Sequence, residues 1–544
     1  MNALSAIGFD YIVIGGGSAG CVLANRLSGD PAARVLLLEA GSAVSNFWTK
    51  LPVGYFKTIY DPRFSRQFPV ESQASTGNRA IQWPRGKALG GSSVINGLLY
   101  IRGQHEDFDG WADLGAEGWA YRDVLPYFKK SECFAGGASE YHGGSGELSV
   151  SGLRNEHPYT GAWLDAAVEM GCPRNDDFNG AQSEGVGAYQ LTIGTRWRCD
   201  TATAFLKPIR DRSNLVILTR CEVTRIIVEG GRAVGAEWLQ DGQLKRARAD
   251  VEVLLSAGAL QSPQLLQLSG IGDASLLKKH GIPVSAHVPE VGRNLQDHYQ
   301  ARVIVKLKRR MSLNDATRSP IGLAKMGAQW LFQGRGPLTI GAGQVGGMAR
   351  TEHAAEGRAD VLFNVMPLSV DKPGDPLHKF SGFSASVTQC RPESRGTVEI
   401  TSKDSRAPLR IVSNYLTEPK DVKTLVAGLR MLREIYQQPS FRDLITGDEY
   451  LPGNSVTTAA AIEEFARMKG GTVFHPCGTC RMGGDEDSVL DARLRVRGIE
   501  RLRVVDASVM PTMVSTNTNA ASIMIGEKGA ALILEDAGVI ADRQ

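Results

Sequence analysis

The chain has 544 residues, of which 42% are hydrophobic and 22% charged, and its formal net charge is +3. This composition is typical of a globular protein with roughly two to four structural units, and neither the charge nor any Lys/Arg cluster indicates nucleic-acid binding. A signal peptide or transmembrane helix is not expected, because the chain lacks both a basic, apolar leader pattern and a run of about 18 uncharged apolar residues. The 8 cysteines are scattered, which favours reduced thiols in a cytoplasmic protein over a disulfide framework.

The first predicted elements form a dinucleotide-binding unit. The string DYIVIGGGSAGCVLANRLSG (10–29) joins an apolar strand to an apolar helix through Gly15-x-Gly17-x-x-Gly20, and the strand RVLLLEAG (34–41) leads to Glu39. In this context the glycines permit a tight turn, close approach of the backbone to a pyrophosphate, and close helix packing. The helix N-terminus favours phosphate, and Glu39 can accept hydrogen bonds from a ribose diol. A purely structural βαβ unit is the less favoured alternative.

Two further glycine-rich segments follow. In PRGKALGGSSVINGLLYIRG (84–103), the run of two glycines and two serines at 90–93 could surround a phosphate with backbone N–H groups. The string GAGQVG (341–346) repeats the G-x-G-x-x-G spacing, but a turn precedes it and no strand ending in an acid follows. We interpret it as a mobile glycine loop and not as a second nucleotide site.

The region 301–470 predicts a sheet backed by helices. Alternating runs such as GFSASVTQC (382–390) and GTVEITS (396–402) are typical of strands, and DVKTLVAGLRMLREIY (421–436) has helical spacing. The segment CRPESRGTVEI (390–400) is expected to form part of the sheet over a bound cofactor.

The segment GTVFHPCGTCRMG (471–483) permits two interpretations, one based on the cysteines and one on His475. A zinc site needs about four nitrogen or sulfur ligands, and no second C-x-x-C or H-x-x-x-H occurs at a plausible spacing. A thioredoxin-type dithiol would be expected at a helix N-terminus in a small βαβ unit, which is not evident. Metal binding at Cys477 and Cys480 is therefore not expected.

The last predicted helix begins at Asn519, in NAASIMIGEKGAALILEDA (519–537), after the good N-cap residues STNTN (515–519). Its N-terminus would favour a nearby negative charge. The nucleotide-binding motif from residue 10, the segment 84–103 and HPCGTCRMG (475–483) combine with GALQSPQLLQLSGIG (258–272), VGRNLQDH (291–298) and VVDASVMPTMVSTNTNAASIMIGEKGA (504–530). Together they resemble the GMC (glucose-methanol-choline) oxidoreductases, in their choline dehydrogenase-like and alcohol dehydrogenase-like branch. The resemblance extends from residue 10 to about residue 535.

The resemblance implies an α/β fold. A doubly wound, Rossmann-like FAD-binding domain (1–155, 195–300 and 470–544) would be interleaved with an α+β substrate domain (156–194 and 301–469) that contains an antiparallel sheet. The implied FAD contacts are Gly15, Gly17, Ser18, Gly20 and Glu39 for the ADP part, Ala88, Gly90, Gly91, Ser92, Asp506 and Ala507 for the pyrophosphate and ribityl chain, Asn96 and Gly97 for the flavin ring, Val223 for adenine, and Thr518. Ile95 stands where some relatives carry the histidine that binds FAD covalently, so a non-covalent cofactor is expected.

The resemblance also implies FAD-dependent oxidation of a primary alcohol to the aldehyde, with His475 and Asn519 as the catalytic pair. A neutral imidazole at His475 would act as general base for the hydroxyl while a hydride moves to flavin N5, and Asn519 would help to stabilise the developing alkoxide. For His298 a structural role is favoured, in which Asp297 and His298 hold a loop in place. The alternative within the same fold is a hydroxynitrile lyase or photodecarboxylase type of chemistry.

The partners implied are a small-molecule alcohol and an electron acceptor, which could be oxygen, a quinone or another carrier. Choline-like, aliphatic and aromatic alcohols all stay open, as do oxidase and dehydrogenase activity and a monomeric or dimeric state. A quinone acceptor would suit a peripheral position at the inner membrane.

Overall fold

The structure, a computed structural model, describes residues 8–43, 45–355, 357–372 and 374–538. The ends of the predicted FAD-binding domain, 1–7 and 539–544, lie outside these described residues. In chain order the strands are β1 (Phe9–Ile14), β2 (Val35–Leu38), β3 (Ser65–Val70), β4 (Ile81–Gly86), β5 (Glu132–Phe134), β6 (Leu148–Val150), β7 (Gly185–Ala188), β8 (Leu215–Leu218), β9 (Glu222–Glu229), β10 (Arg232–Gln240), β11 (Gln243–Leu255), β12 (Ile271–Gly272), β13 (Ala286–His287), β14 (Tyr299–Leu307), β15 (Val345–Ala349), β16 (Val361–Met366), β17 (Gly382–Gln389), β18 (Thr397–Glu399), β19 (Arg410–Val412), β20 (Ile445–Leu451), β21 (Gly471–Thr472) and β22 (Leu502–Val504). The α-helices are α1 (Ser18–Leu27), α2 (Phe47–Lys50), α3 (Tyr55–Thr58), α4 (His105–Asp113), α5 (Tyr121–Ser131), α6 (Pro158–Glu169), α7 (Gly258–Leu268), α8 (Ala274–Lys279), α9 (Leu313–Arg318), α10 (Pro320–Gln333), α11 (Pro419–Gln437), α12 (Pro439–Arg442), α13 (Ala459–Lys469) and α14 (Thr518–Asp536).

The first sheet is mainly parallel and is built on the apolar strand β1. Strands β8, β2, β1, β11 and β22 pair in parallel, and the first half of β11 pairs antiparallel with β10, which in turn pairs with β9. Strands β1 and β2 are buried almost throughout, as expected for parallel strands covered on both faces. This sheet, with α1 packed against α14, confirms the predicted α/β, Rossmann-like fold.

The carboxyl ends of the parallel strands meet at one edge of this sheet. β1 leads into Gly15, β2 into Glu39, and β22 into Asp506 two residues beyond its end. Ligands of open α/β sheets bind in the crevice outside the carboxyl ends of the strands. The chain therefore brings residues nearly 500 positions apart in sequence to a single crevice.

The second sheet is antiparallel and confirms the sheet predicted in the region 301–470. Its strand order is β15-β16-β17-β14-β20, and β21 pairs with β14 at one end. GFSASVTQC corresponds to β17, and the predicted helix corresponds to α11, which packs on one face of the sheet. Close packing requires Gly428 in α11, because a Cβ there would lie 2.5 Å from Cγ2 of Val387.

Two details of the prediction need correction. The segment GTVEI, expected in the sheet over the cofactor, instead forms β18, which pairs only with β19 in a separate two-stranded sheet. β21 lies in the stretch assigned by sequence to the FAD-binding domain, but it hydrogen-bonds to β14 of the second sheet. Both segments are short, and tertiary pairing decides the sheet in which they lie.

None of the helices in the described ranges combines the length and the apolar character that crossing a bilayer requires.

Candidate active site

A cleft with about 1160 Å³ of empty space lies outside the carboxyl ends of β1, β2 and β22. The predicted cofactor residues that line it are Gly15, Gly17, Ser18, Glu39, Gly91, Ser92, Val223, Asp506 and Ala507. These residues come from five separate segments of the chain. The structure therefore assembles most of the predicted nucleotide site in one place.

The glycine turn after β1 is built for close backbone approach. Gly15 has a φ of +103°, and a Cβ there would lie 2.4 Å from the carbonyl oxygen of Ser256, so only glycine fits. A Cβ at Gly91 would lie 2.7 Å from Cα of Gly17, which places the two glycine-rich loops in direct contact. Gly17 itself has open space around its missing Cβ, with its nearest neighbour at 3.9 Å. Glycine backbone therefore lines the cleft where the start of α1 meets the 90–93 loop.

Two buried carboxylates fix the walls of this cleft. Glu39 accepts hydrogen bonds from the backbone N–H groups of Gly16 and Gly41 at 2.8 and 2.7 Å, and burial raises its pKa. Asp506 accepts from the N–H groups of Gly258 and Ser508, each at 2.8 Å. Each carboxylate therefore holds loops in place, and each still faces the cleft.

Three predicted cofactor residues line neither this cleft nor the cavity that adjoins it. Gly20 packs α1 against β1, since a Cβ there would lie 1.9 Å from the carbonyl oxygen of Gly15. The N–H of Gly90 donates to the carbonyl oxygen of Gly16 at 2.8 Å, and Ala88 forms a bridge to Ser42. These three residues therefore support the loops that form the cleft without lining it.

A second cavity, with about 1440 Å³ of empty space, adjoins the first. Both are lined by Ser18, Arg85, Ser92, Ala507 and Ser522, so the two spaces meet along this shared wall. The second cavity contains the predicted Asn96, Gly97, Thr518, His475 and Asn519, and one of its walls is the face of the antiparallel sheet opposite α11. The GAGQVG loop contributes Ala342, which lies against Gly97, so this loop is a cavity wall.

The shape and lining of the combined space fit FAD. An elongated cofactor with a nucleotide at one end needs a glycine-lined passage for its diphosphate and an open chamber for its ring. The first cleft provides the passage and the second cavity provides the chamber. Ile95, which lines the chamber, has no nucleophilic atom, so it cannot form a covalent bond to the flavin.

The backbone of His475 is held in place at the wall of the second cavity. Its N–H donates to Oδ1 of Asp297 at 2.7 Å, while the other carboxylate oxygen, Oδ2, accepts from the hydroxyls of Thr472 and Tyr415. Burial raises the pKa of Asp297 to about 6. Phe474 has a φ of +66°, an uncommon conformation for a bulky residue that often marks functional sites. The predicted role of Asp297 in fixing a loop is thus confirmed.

Neighbouring groups determine the orientation and the tautomer of the His475 imidazole. Nε2 of His298 lies 2.9 Å from the carbonyl oxygen of Cys390, which can only accept, so this nitrogen carries the hydrogen. Burial lowers the pKa of His298 to about 4, so the ring is neutral and its Nδ1 is an acceptor. Nδ1 of His475, 3.0 Å away, must then be the donor.

This leaves Nε2 of His475 as an unprotonated nitrogen at the cavity. Burial lowers the pKa of His475 well below its usual range, and His298 and the cation of Arg85 lower it further. The ring is therefore neutral at neutral pH, and the basic lone pair on Nε2 accepts a hydrogen bond from the amide of Asn517. His298, for which a structural role was favoured, is thus in direct contact with the candidate base.

The structure corrects the predicted partner of His475. The amide nitrogen Nδ2 of Asn517 lies 3.1 Å from Nε2 of His475, whereas Oδ1 of Asn519 accepts a hydrogen bond from the hydroxyl of Ser18 at 2.8 Å. Asn517 is the N-cap of α14, but its side chain makes no capping bond and turns to the histidine. Its Oδ1 is buried and has no hydrogen-bond partner within the described residues, as expected of an atom that awaits a ligand or water.

The cysteines of the same segment are buried thiols. Cys477 and Cys480 are completely buried, and burial raises the pKa of both, so both stay protonated. Among the described residues, no three side chains of the His, Cys, Asp and Glu types are grouped to hold a metal ion. Cys477 instead pairs its backbone with that of Gln296, which helps to hold the loop next to His475.

Comparisons with known proteins agree with this geometry. Family models of the GMC oxidoreductases match residues 9–300 (the N-terminal model) and 392–526 (the C-terminal model). The chain is 42% identical to an oxygen-dependent choline dehydrogenase of Escherichia coli over 532 residues, which cover 96% of this chain and 95% of the relative. The same enzyme of Citrobacter koseri is 42% identical over 529 residues, covering 96% and 94%.

Solved structures show the same fold. The structure of pyridoxine 4-oxidase from Mesorbium loti matches with a TM-score of 0.87 and 30% identity, covering 96% of this chain and 99% of the other. A variant of formate oxidase from Aspergillus oryzae matches with a TM-score of 0.89 over 98% of this chain and 100% of the other, but at 24% identity this likeness concerns the fold alone.

Proposed function

The chain belongs to the GMC oxidoreductase family and is an FAD-dependent oxidoreductase that acts on alcohol donors; from this premise we propose that it oxidises a primary alcohol to the aldehyde, with His475 as the general base. The observation that carries the proposal is the unprotonated Nε2 of His475 at the cavity, with its tautomer determined by His298 and the carbonyl of Cys390.

Oxidation of an alcohol requires removal of the proton from its hydroxyl group. An aliphatic hydroxyl is far too weak an acid to lose its proton to water at neutral pH, so a positioned base is needed, which contributes typically 10²–10⁴-fold to the rate. Nε2 of His475 accepts this proton, and the resulting imidazolium is stabilised because its Nδ1–H already donates to His298. When FAD is bound, it supplies the hydride-accepting chemistry at N5.

The developing alkoxide needs hydrogen-bond donors. The amide of Asn517 stands at Nε2 of His475 and can turn to donate to the substrate oxygen, and the imidazolium donates from the other side. We assign to Asn517 the role that the sequence suggested for Asn519. Asn519, bound to Ser18, is placed to support the start of α14, where the helix dipole favours negative charge on a bound cofactor.

The residues proposed to hold FAD follow from the two cavities. Gly15, Gly17 and Gly91 would flank the diphosphate, Glu39 and Val223 the adenosine end, and Asn96, Gly97 and Ala507 the ring end. Thr518 and Ser18 lie where α14 and α1 begin, close to the ring.

The test is anaerobic reduction of the bound flavin in the dark. A panel of primary alcohols should bleach the flavin absorbance of the wild-type protein, which a lyase or a light-driven decarboxylase would not show. His475→Ala should retain FAD but slow the reduction about 10²–10⁴-fold. His353→Ala, a change at a partly exposed histidine that pairs with Glu352 among the described residues, should behave as wild type. Bleaching at an unchanged rate in His475→Ala, or no bleaching with any alcohol, would refute the proposal.

A further inference from the structure

The substrate side of the second cavity carries positive charge and no compensating negative charge. Two of its lining residues, Arg85 and Arg302, carry a positively charged guanidinium group. None of the described residues that line it is Asp or Glu. Arg85 donates to the carbonyl oxygen of Phe474 at 2.8 Å and sits at the junction with the FAD cleft. Arg302 lines only the second cavity, where it is the charged residue away from the FAD cleft.

Arg302 has hydrogen-bonding capacity to spare. Of its five N–H groups, the described residues accept from one, through a long bond of 3.4 Å to the backbone oxygen of Asp371. The carboxylate of Asp371 points elsewhere, 3.2 Å from His378, and Arg302 forms no ion pair with any described residue. Burial lowers the pKa of Arg302 below its usual range, and the nearby carboxylate of Asp371 opposes this shift only in part.

Arg302 is also one member of a polar row across the sheet. In the register of the antiparallel strands, Arg302 on β14 lies opposite Ser386 on β17, which lies opposite Asn364 on β16. All three line the cavity, and neither Ser386 nor Asn364 uses its side chain in a hydrogen bond within the described residues. Neighbouring strands are about 4.8 Å apart, so the row spans about 10 Å.

Resting on the proposed alcohol oxidation, we propose that this row is an anion subsite and that the natural substrate is a primary alcohol that carries a carboxylate, held by Arg302 with Ser386 and Asn364. A guanidinium matches a carboxylate through two parallel N–H···O bonds, and hydroxyl and amide donors beside it complete the shell. The carboxylate takes no part in the reaction; it anchors the end of the molecule away from His475.

The subsite argues against a quaternary ammonium substrate, although the chain is 42% identical to enzymes named choline dehydrogenases. A trimethylammonium group has no N–H to donate and would meet two like charges without any carboxylate among the described lining residues. Like-charge juxtaposition and an unmet desolvation cost would both disfavour it.

The spacing along β14 sets the scale of the substrate. His298, which contacts His475, directly precedes β14, and Arg302 lies four residues further on, or about 13 Å at the Cα atoms. Gln300 lies between them on the same face and lines the cavity. A separation on this scale suits a chain of several carbons between the hydroxyl and the carboxylate.

Matched substrates test the inference directly. 6-Hydroxyhexanoate, its methyl ester and choline should rank in that order in kcat/KM. Arg302→Gln should lower kcat/KM for 6-hydroxyhexanoate about 10- to 100-fold, mainly through KM, because a charge-assisted pair is lost. The same variant should change the value for the methyl ester less than threefold. Arg310→Gln, the same substitution at an exposed arginine eight residues away, should match wild type.

A binding measurement separates this inference from the proposed oxidation. Hexanoate, which has no hydroxyl to oxidise, should raise the melting temperature of the FAD-loaded wild-type protein and should not raise that of Arg302→Gln, with FAD content and the ligand-free melting temperature as folding controls. If no alcohol reduces the flavin, the oxidation fails, and the hexanoate shift still tests the subsite. Equal kcat/KM for the acid and its ester, or an equal hexanoate shift in the variant, would overturn the subsite.

Discussion

Replacement of His298 by Phe tests whether the tautomer of His475 is imposed by its neighbour. Phenylalanine keeps a flat ring in the position but removes the Nδ1 acceptor that lies 3.0 Å from Nδ1 of His475. The matched variant is His298→Asn, whose side-chain oxygen can occupy nearly the place of that nitrogen. Both variants remove the Nε2–H that donates to the carbonyl of Cys390, so their difference reports only the acceptor.

The size of the effect follows from the lost hydrogen bond. A buried donor left without an acceptor costs about 1–3 kcal/mol. In His298→Phe this cost falls on the tautomer with the hydrogen on Nδ1 and favours the tautomer with the hydrogen on Nε2, whose lone pair points away from the substrate. Because about 1.4 kcal/mol corresponds to a factor of ten, flavin reduction should slow about 5- to 150-fold. His298→Asn should recover most of this loss.

The assay is anaerobic stopped-flow reduction of the flavin at saturating alcohol. FAD content and melting temperature are measured for both variants, so that a folding defect is not mistaken for a tautomer effect. Equal rates in His298→Phe and His298→Asn, with FAD fully retained, would refute the reasoning, because the acceptor at Nδ1 would then have no influence on the base.

Two further predictions concern the same site. Asn517→Ala should slow flavin reduction about 100-fold, because it removes a donor to the developing alkoxide. Asn519→Ala should change the rate less than threefold. A larger loss in Asn519→Ala than in Asn517→Ala would instead support the sequence-based pairing of His475 with Asn519. Because burial, His298 and Arg85 lower the pKa of His475, the proton that inactivates the base binds only at low pH. kcat/KM should therefore fall less than twofold between pH 8 and pH 6.5, the pH at which an unperturbed histidine would be half protonated. A fall of kcat/KM with its midpoint near pH 6.5 would contradict the buried, neutral base.

The cofactor half of the molecule was predictable because its signals are local. The turn at Gly15, the strand leading to Glu39 and the helix after Gly17 follow one another in 30 residues, and each has a physical requirement that restricts the residue type. The antiparallel sheet was predictable for the same reason, since alternation in β17 and helical spacing in α11 are short-range patterns. Strand partners were less predictable: the segment 396–400 has the alternation of a sheet strand, but only tertiary packing determines that it pairs with β19.

The contacts around His475 were harder to predict because they depend on the register between distant segments. His298 and His475 are 177 residues apart, and nothing near either residue indicates that their rings meet. Arg302 was equally hidden, since an arginine in an alternating strand usually faces solvent; only the position of β14 beneath the cavity turns it inward.

The choice between Asn517 and Asn519 depends on where α14 begins. The helix begins at Thr518, one residue before the predicted start, so Asn517 is a cap with extended geometry and Asn519 lies in the first turn. Residues in a helix rotate about 100° each, so two positions turn a side chain to the opposite side of the axis. One asparagine therefore reaches across the cavity to His475, and the other turns back to Ser18 at the start of α1.

Strand β14 connects the chemistry to the proposed specificity. Side chains alternate along a strand, so residues at 300 and 302 share one face, and the position before the strand carries the histidine that orients the base. The separation between His298, which orients the base, and Arg302 is then fixed by the backbone of the strand and by the packing of α11 on the opposite face. A substrate must match that distance at both ends. Specificity for chain length and for charge would therefore both depend on Arg302, with Ser386 of β17 and Asn364 of β16 completing the anion subsite.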